Sequence, residues 1–157
     1  MTTKQTAIEQ WRTVLQSRLD NLESNTDAAR SGTRVDGEHR PSNRGERAAV
    51  SSSGYLAHGL AQRAAEIQTH LDNLDAMGSE PRHEVAVGAL LTLSINGGAP
   101  QRIAVFPGRD ATRLECGVQV LSMQSPMATQ LMDAEPGDTL EVELGPRILD
   151  VEVQSIA

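Results

Sequence analysis

At 157 residues with 38% apolar side chains, the chain is long enough for one ordinary domain or two small ones with a buried core. Its only aromatic residues are Trp11, Tyr55 and Phe106, which argues against the stacked-ring platforms that hold single-stranded nucleic acids. The net charge of −7 is uneven: residues 1–77 carry nine Arg/Lys against ten Asp/Glu, and residues 78–157 carry five against eleven, so the second half repels phosphate backbones and suits a basic protein surface.

The single cysteine, Cys116, permits no internal disulfide and no multi-thiolate metal site, as expected of a protein in a reducing compartment. It is expected to pack as a small hydrophobe. No basic patch followed by an apolar run opens the chain, and no stretch approaches the roughly 18 apolar residues of a spanning helix. The sequence predicts a cytoplasmic protein with no membrane association.

From the N-terminus, Ile8, Trp11, Leu15, Leu19 and Leu22 recur three or four residues apart among polar residues, which predicts a helix over residues 4–30. Either Thr2 with Gln5 or Thr6 with Glu9 can form its capping box. The segment 32–43, with Gly32, Gly37 and Pro41, reads as a connection, and Asn43 followed by Glu46 can cap a second helix. Leu56, Leu60, Ala64, Ile67, Leu71 and Leu74 form its stripe, and Gly78 suits its stop. Each stripe is narrow, so the two helices are expected to pair as an antiparallel coiled-coil hairpin over residues 1–77, with its tip near 32–43. A helix of about 27 residues spans about 40 Å at 1.5 Å per residue.

Beyond Gly78 the periodicity changes to that of strands: 85–95, 102–106, 118–123, 139–144 and 148–156. Asn96-Gly97-Gly98 and Gly145-Pro146 mark reversals. Leu140, Val142 and Leu144, then Leu149, Val151 and Val153, alternate with acidic residues as a half-exposed hairpin requires. Ser125-Pro126 opens a short helix over 126–133 with Ser as cap and Pro in the first turn. The fold class is therefore α+β: a hairpin followed by a sheet of about five strands with one short helix, over residues 78–157.

Together, in order, the Ser125-Pro126 step with Leu131 inside the following helix, the Gly137-Asp138 turn, and a final hairpin ending in Val-x-x-Ile resemble the closing segment of the Gre transcript-cleavage factors. Val87-Gly88 and Val105-Phe106-Pro107-Gly108 resemble the same family's C-terminal domain. Asn43, Ala48-Ala49 and Gly54-Tyr55 fall where Gre factors carry an Asn, an Ala pair and a Gly-aromatic pair, so the resemblance covers almost the whole chain. It implies an FKBP-like C-terminal domain docking at the rim of the RNA polymerase secondary channel, with the coiled coil reaching toward the active site. It also implies a regulator of elongation or of transcript cleavage, expected to be monomeric; the acidity of the second half makes independent nucleic-acid binding unexpected. In that family the docking surface includes the Ser-Pro step and an acidic residue before it, which fall here on Gln124, Ser125 and Pro126. The acid is missing, which leaves Asp133 or Glu135 as neighbouring substitutes.

Cleavage-stimulating members present an Asp and a Glu three residues apart at the tip, because two carboxylates can hold a second Mg²⁺ and position the attacking water. Aligned on Asn43 and Ala48-Ala49, those positions are His39 and Ser42, so that pair is absent. Asp36 and Glu38 lie a few residues earlier and could converge on a cation shared with the polymerase; they could equally be solvated loop acids. Arg34, Arg40, Arg44 and Arg47 make the tip net positive and would place guanidinium groups near acidic residues or phosphates. The expectation is a protein with no catalysis or cofactor of its own, which at most stimulates the polymerase's Mg-dependent RNA cleavage. The alternative is a non-cleaving, channel-blocking inhibitor or interaction module. A prolyl isomerase would need an aromatic-lined pocket, for which the second half offers Phe106 alone. Ser51 to Ser53 with His58 lack a nucleophile elbow, and His39, His58, His70 and His83 lack metal-ligand spacing.

Overall fold

Two reciprocal hydrogen bonds start the first helix: the Thr2 amide donates to Gln5 Oε1 at 2.8 Å and the Gln5 amide donates to Thr2 Oγ1 at 3.2 Å. Of the two candidate capping boxes, Thr2 and Gln5 form this one. In this computed structural model the backbone is described for residues 1–31 and 44–157, and side chains for 1–29 and 54–157. Helix α1 runs Thr3–Ser31 and α2 runs Arg44–Met77. Gly78, at φ 70°, takes the left-handed conformation that closes a helix at little cost in glycine. No described helix is long and apolar enough to cross a membrane.

By internal contacts the chain divides into two compact units, one of residues 1–13 with 70–157 and one of residues 14–69. Both divisions fall inside helices. The smaller unit consists of α1 from Val14 and α2 up to Thr69. Its buried side chains include Leu15, Leu19, Thr26 and Ala29 on α1 and Ala57 on α2. The second stripe therefore opens on Ala57; Leu56 is 57% exposed. The heptad register explains the difference, because 57, 60, 64, 67, 71 and 74 alternate steps of three and four as a paired helix requires, whereas 56 to 60 to 64 would drift off the seam. Thr26 enters the stripe by returning its hydroxyl to Leu22 O at 2.7 Å.

The larger unit is an α+β body, as expected. Its sheet holds β1 (Leu90–Ile95), β2 (Gln101–Val105), β3 (Thr112–Arg113), β4 (Gln119–Leu121), β5 (Thr139–Leu144) and β6 (Arg147–Ile156), ordered β3-β4-β2-β1-β6-β5. All neighbours pair antiparallel except β2 with β4. The two-residue β3 escaped the sequence reading because it is too short to show a period. The expected strand from Val85 instead begins at Leu90. Gly88, at φ 90°, breaks the extended run, and Val85 bonds the chain after the short helix: its amide donates to Ala134 O at 2.8 Å and its carbonyl accepts from Asp133 at 3.0 Å.

That helix, α3 (Pro126–Leu131), ends earlier than the expected 133, because the chain leaves helical dihedrals at Met132 (φ −54°, ψ 141°), with Asp133 following at φ 65°. It buries Ala128 and Leu131. On this side of the sheet Leu131 and Ala134 join Leu91, Leu93, Val105, Val142, Val151 and Val153 in one core cluster. The β5–β6 hairpin alternates as read, with Val142, Val151 and Val153 buried and Glu141, Glu143, Asp150 and Glu152 exposed. Gly145, at φ 61° ahead of Pro146, suits the first central position of a type II′ turn.

On the opposite face lie Leu90, Ala104, Val118 and Val120, all buried but outside that cluster. The first turns of α1 cover this side. Lys4 Nζ donates to the carbonyls of Glu80 and Ala157, Gln10 Oε1 accepts from the Cys116 amide at 2.9 Å, and the Trp11 indole donates to Pro107 O at 2.7 Å. Arg12 meets Asp75 of α2 at 2.7 Å, but this exposed pair is worth only about 0–1 kcal/mol. Burial pushes the Lys4 ammonium below its ordinary range, with Arg82 adding to the effect and Glu80 opposing it.

One edge of the sheet is β5, and the Gln130 side chain closes part of it. Its amide donates to Glu143 O at 2.8 Å and accepts from the Glu143 amide at 2.7 Å, which reproduces the bonds a further strand would make. Gln130→Ala is expected to lower stability by about 1 kcal/mol and to promote concentration-dependent association. Denaturant unfolding and light scattering check both effects; unchanged values would mean that water satisfies the edge equally well.

Candidate docking site

Ser125 builds the site's local structure. It holds extended dihedrals (φ −66°, ψ 144°), its hydroxyl oxygen accepts from the Ala128 amide at 3.1 Å, and Pro126 occupies the first turn of α3. The Thr129 hydroxyl donates back to Ser125 O at 2.9 Å. The Ser-Pro step is thus a helix start in its own right. Gln124 and Pro126 are exposed and Ser125 is half-buried, so the three form an accessible corner held rigid by the cap. Asp133 and Glu135 are also exposed. The Glu135 amide is bonded by Asp138 Oδ2 at 2.8 Å, which makes 135–138 a local turn.

Beside this corner, within the larger unit, lies a cleft of about 500 Å³. Met77, Val87, Phe106, Pro107 and Met123 supply apolar wall, and His70, Asn73, Arg82, Ser122 and Gln124 supply polar groups. Phe106 is fully buried, whereas Met123 is 43% exposed at the mouth. Two glycines let the walls close up. A Cβ on Gly108 would stand 2.6 Å from the Trp11 ring, and one on Gly88 would stand 2.8 Å from Met77 Cγ. Arg82 crosses behind Gly88 and donates from Nη2 to Met77 O at 3.3 Å. Sequence reading found the Ser-Pro corner but missed this cleft, whose lining comes from several separate stretches of chain. The Val87-Gly88 and Phe106-Pro107-Gly108 pairs were its only local signal.

The tip residues Asp36, Glu38, Arg34 and Arg40 lie outside the described residues, as do the side chains of Arg44 and Arg47 and the cap Asn43. Among the described residues no group of three or more His, Cys, Asp or Glu could hold a metal ion. His58 and His83 are exposed, and His70 is half-buried in the cleft wall. Cys116 is half-buried, in the turn between β3 and β4.

No protein-family model matches the chain, and no curated protein matches it. Among solved structures it is similar to GreA factor homolog 1 of Thermus thermophilus, at 17% identity and a TM-score of 0.40, with 91% of this chain and 94% of that one covered. It is likewise similar to the homologue from Thermus aquaticus, at 18% identity and a TM-score of 0.39, with 90% and 92% covered.

Proposed function

We propose that the chain is a Gre-like regulator of transcription elongation that binds RNA polymerase through its secondary channel. On this reading the body centred on residues 78–157, FKBP-like in the family's terms, docks at the channel rim through Gln124, Ser125 and Pro126, and the hairpin within residues 1–77 points its tip inward. The observation that carries the reading is the combination of helices of 29 and 34 residues with a rigid Ser125-Pro126 corner followed by a buried Leu131 and the final hairpin, in the order the sequence resemblance requires. The parts of these helices in the smaller unit, residues 14–31 and 44–69, are the ones that would reach inward.

The protein has no catalysis of its own in this scheme. Asp36 and Glu38 would share the polymerase Mg²⁺ and position water for RNA cleavage. The second reading, a non-cleaving inhibitor, is favoured by the tip sequence itself: His39 and Ser42 fall at the positions where the family carries carboxylates, and Arg34, Arg40, Arg44 and Arg47 lie close by in the sequence. Backtracked elongation complexes supplied with Mg²⁺ decide between the two. The cleavage reading expects shortened RNA 3′ ends, lost in Asp36→Ala with Glu38→Ala while polymerase affinity stays within about twofold. The inhibitor reading expects slowed synthesis without cleavage. Absence of any polymerase binding would sink both.

A further inference from the structure

The larger unit carries fourteen acidic side chains against seven basic ones, yet no carboxylate lines the cleft beside Gln124. Arg82 is its one permanently charged lining group. No carboxylate among the described residues forms an ion pair with that guanidinium, and its buried Nε has no hydrogen-bond partner there. A guanidinium left without an anion, in a wall otherwise made of Met77, Val87, Phe106 and Met123, is an unmet electrostatic demand. Methionine walls adapt to the shape of an aliphatic guest.

We propose that this cleft binds an acidic peptide segment of a protein partner, seating an aliphatic side chain against Met77, Val87 and Met123 with a neighbouring carboxylate on Arg82. The inference deepens the docking reading and rests on it for the choice of a protein partner. Charge complementarity selects the occupant: in a unit whose surface repels acids, the cleft is the place where a carboxylate meets a cation instead of its own kind. A basic segment would find the unit's acidic exterior but not this cleft.

The test titrates the full-length, isotope-labelled protein with blocked peptides of alternating Leu and Glu, of Leu and Lys, and of Ser and Glu, following backbone amide shifts. The Leu/Glu peptide is expected to move the amides of Val87, Phe106, Gly108 and Met123, and to bind at least about tenfold more tightly than either other peptide. Arg82→Met should remove that preference. Because Arg82 also bonds Met77 O, a second variant avoids any cost to folding: Met123→Glu, at the exposed mouth, should weaken the Leu/Glu peptide by about tenfold and spare the Leu/Lys peptide. Equal binding of all three peptides, shifts elsewhere on the protein, or no binding of any peptide would overturn the proposal. Polymerase binding is measured separately. Peptide selectivity without polymerase binding would support the cleft and sink the docking reading, whereas polymerase binding indifferent to both variants, with no peptide selectivity, would sink the cleft alone.

Discussion

Trp11→Ala is expected to destabilise the larger unit by about 3–5 kcal/mol. The ring is fully buried, packs where Gly108 leaves no room for a Cβ, and donates to Pro107 O at 2.7 Å. Truncation empties that volume and leaves a carbonyl without its donor. Trp11→Phe separates the two contributions. It keeps most of the apolar contact but strands Pro107 O, at a cost of about 1–3 kcal/mol. Denaturant unfolding monitored by far-ultraviolet circular dichroism measures both. A loss below 1 kcal/mol for Trp11→Ala would show that the first turns of α1 are dispensable to the sheet.

The second large effect concerns where the folded body ends. A chain of residues 78–157, cut where α2 stops, is expected to lack a cooperative unfolding transition. The reason is topological. The sheet has two apolar faces, and only the one bearing Leu91, Leu93 and Val105 is covered from within that stretch, by α3. Leu90, Ala104, Val118 and Val120 on the other face would meet water, each costing roughly 1–3 kcal/mol, which is much of a small domain's total stability. Residues 1–13 joined by a short linker to 70–157 should restore the transition, since that set forms the compact unit. Dispersed amide resonances from 78–157 alone would refute this.

The sequence revealed the elements whose periods repeat often enough to be unambiguous. Both long helices, the β5–β6 hairpin and the Ser125 cap follow from spacing and turn chemistry alone. What escaped it was set by tertiary context. The choice of Ala57 over Leu56 is decided by a partner helix, since taken alone leucine is the more apolar residue. The early break at Gly88 reflects a close approach to Met77, invisible in a run that reads Val-Ala-Val-Gly-Ala-Leu-Leu. Trp11 reads as one more position on a stripe, and nothing local shows that its ring leaves the helix pair to reach Pro107. The Ser-Pro corner was legible because its capping chemistry is written in adjacent residues. The cleft beside it was not, because its walls join residues as far apart as His70 and Gln124.

Lys4 is the only lysine in the chain, and it is 4% exposed, bonded to the carbonyls of Glu80 and Ala157. The first turns of α1 therefore carry a unique chemical clock. An acylating reagent offered to the native protein finds one amine at the N-terminus and a second that reacts only in molecules whose α1 has lifted from the sheet. The rate at which the second acyl group appears, read by mass spectrometry of the intact chain, reports the frequency of that opening without any engineered label, and whether a bound partner slows or hastens it.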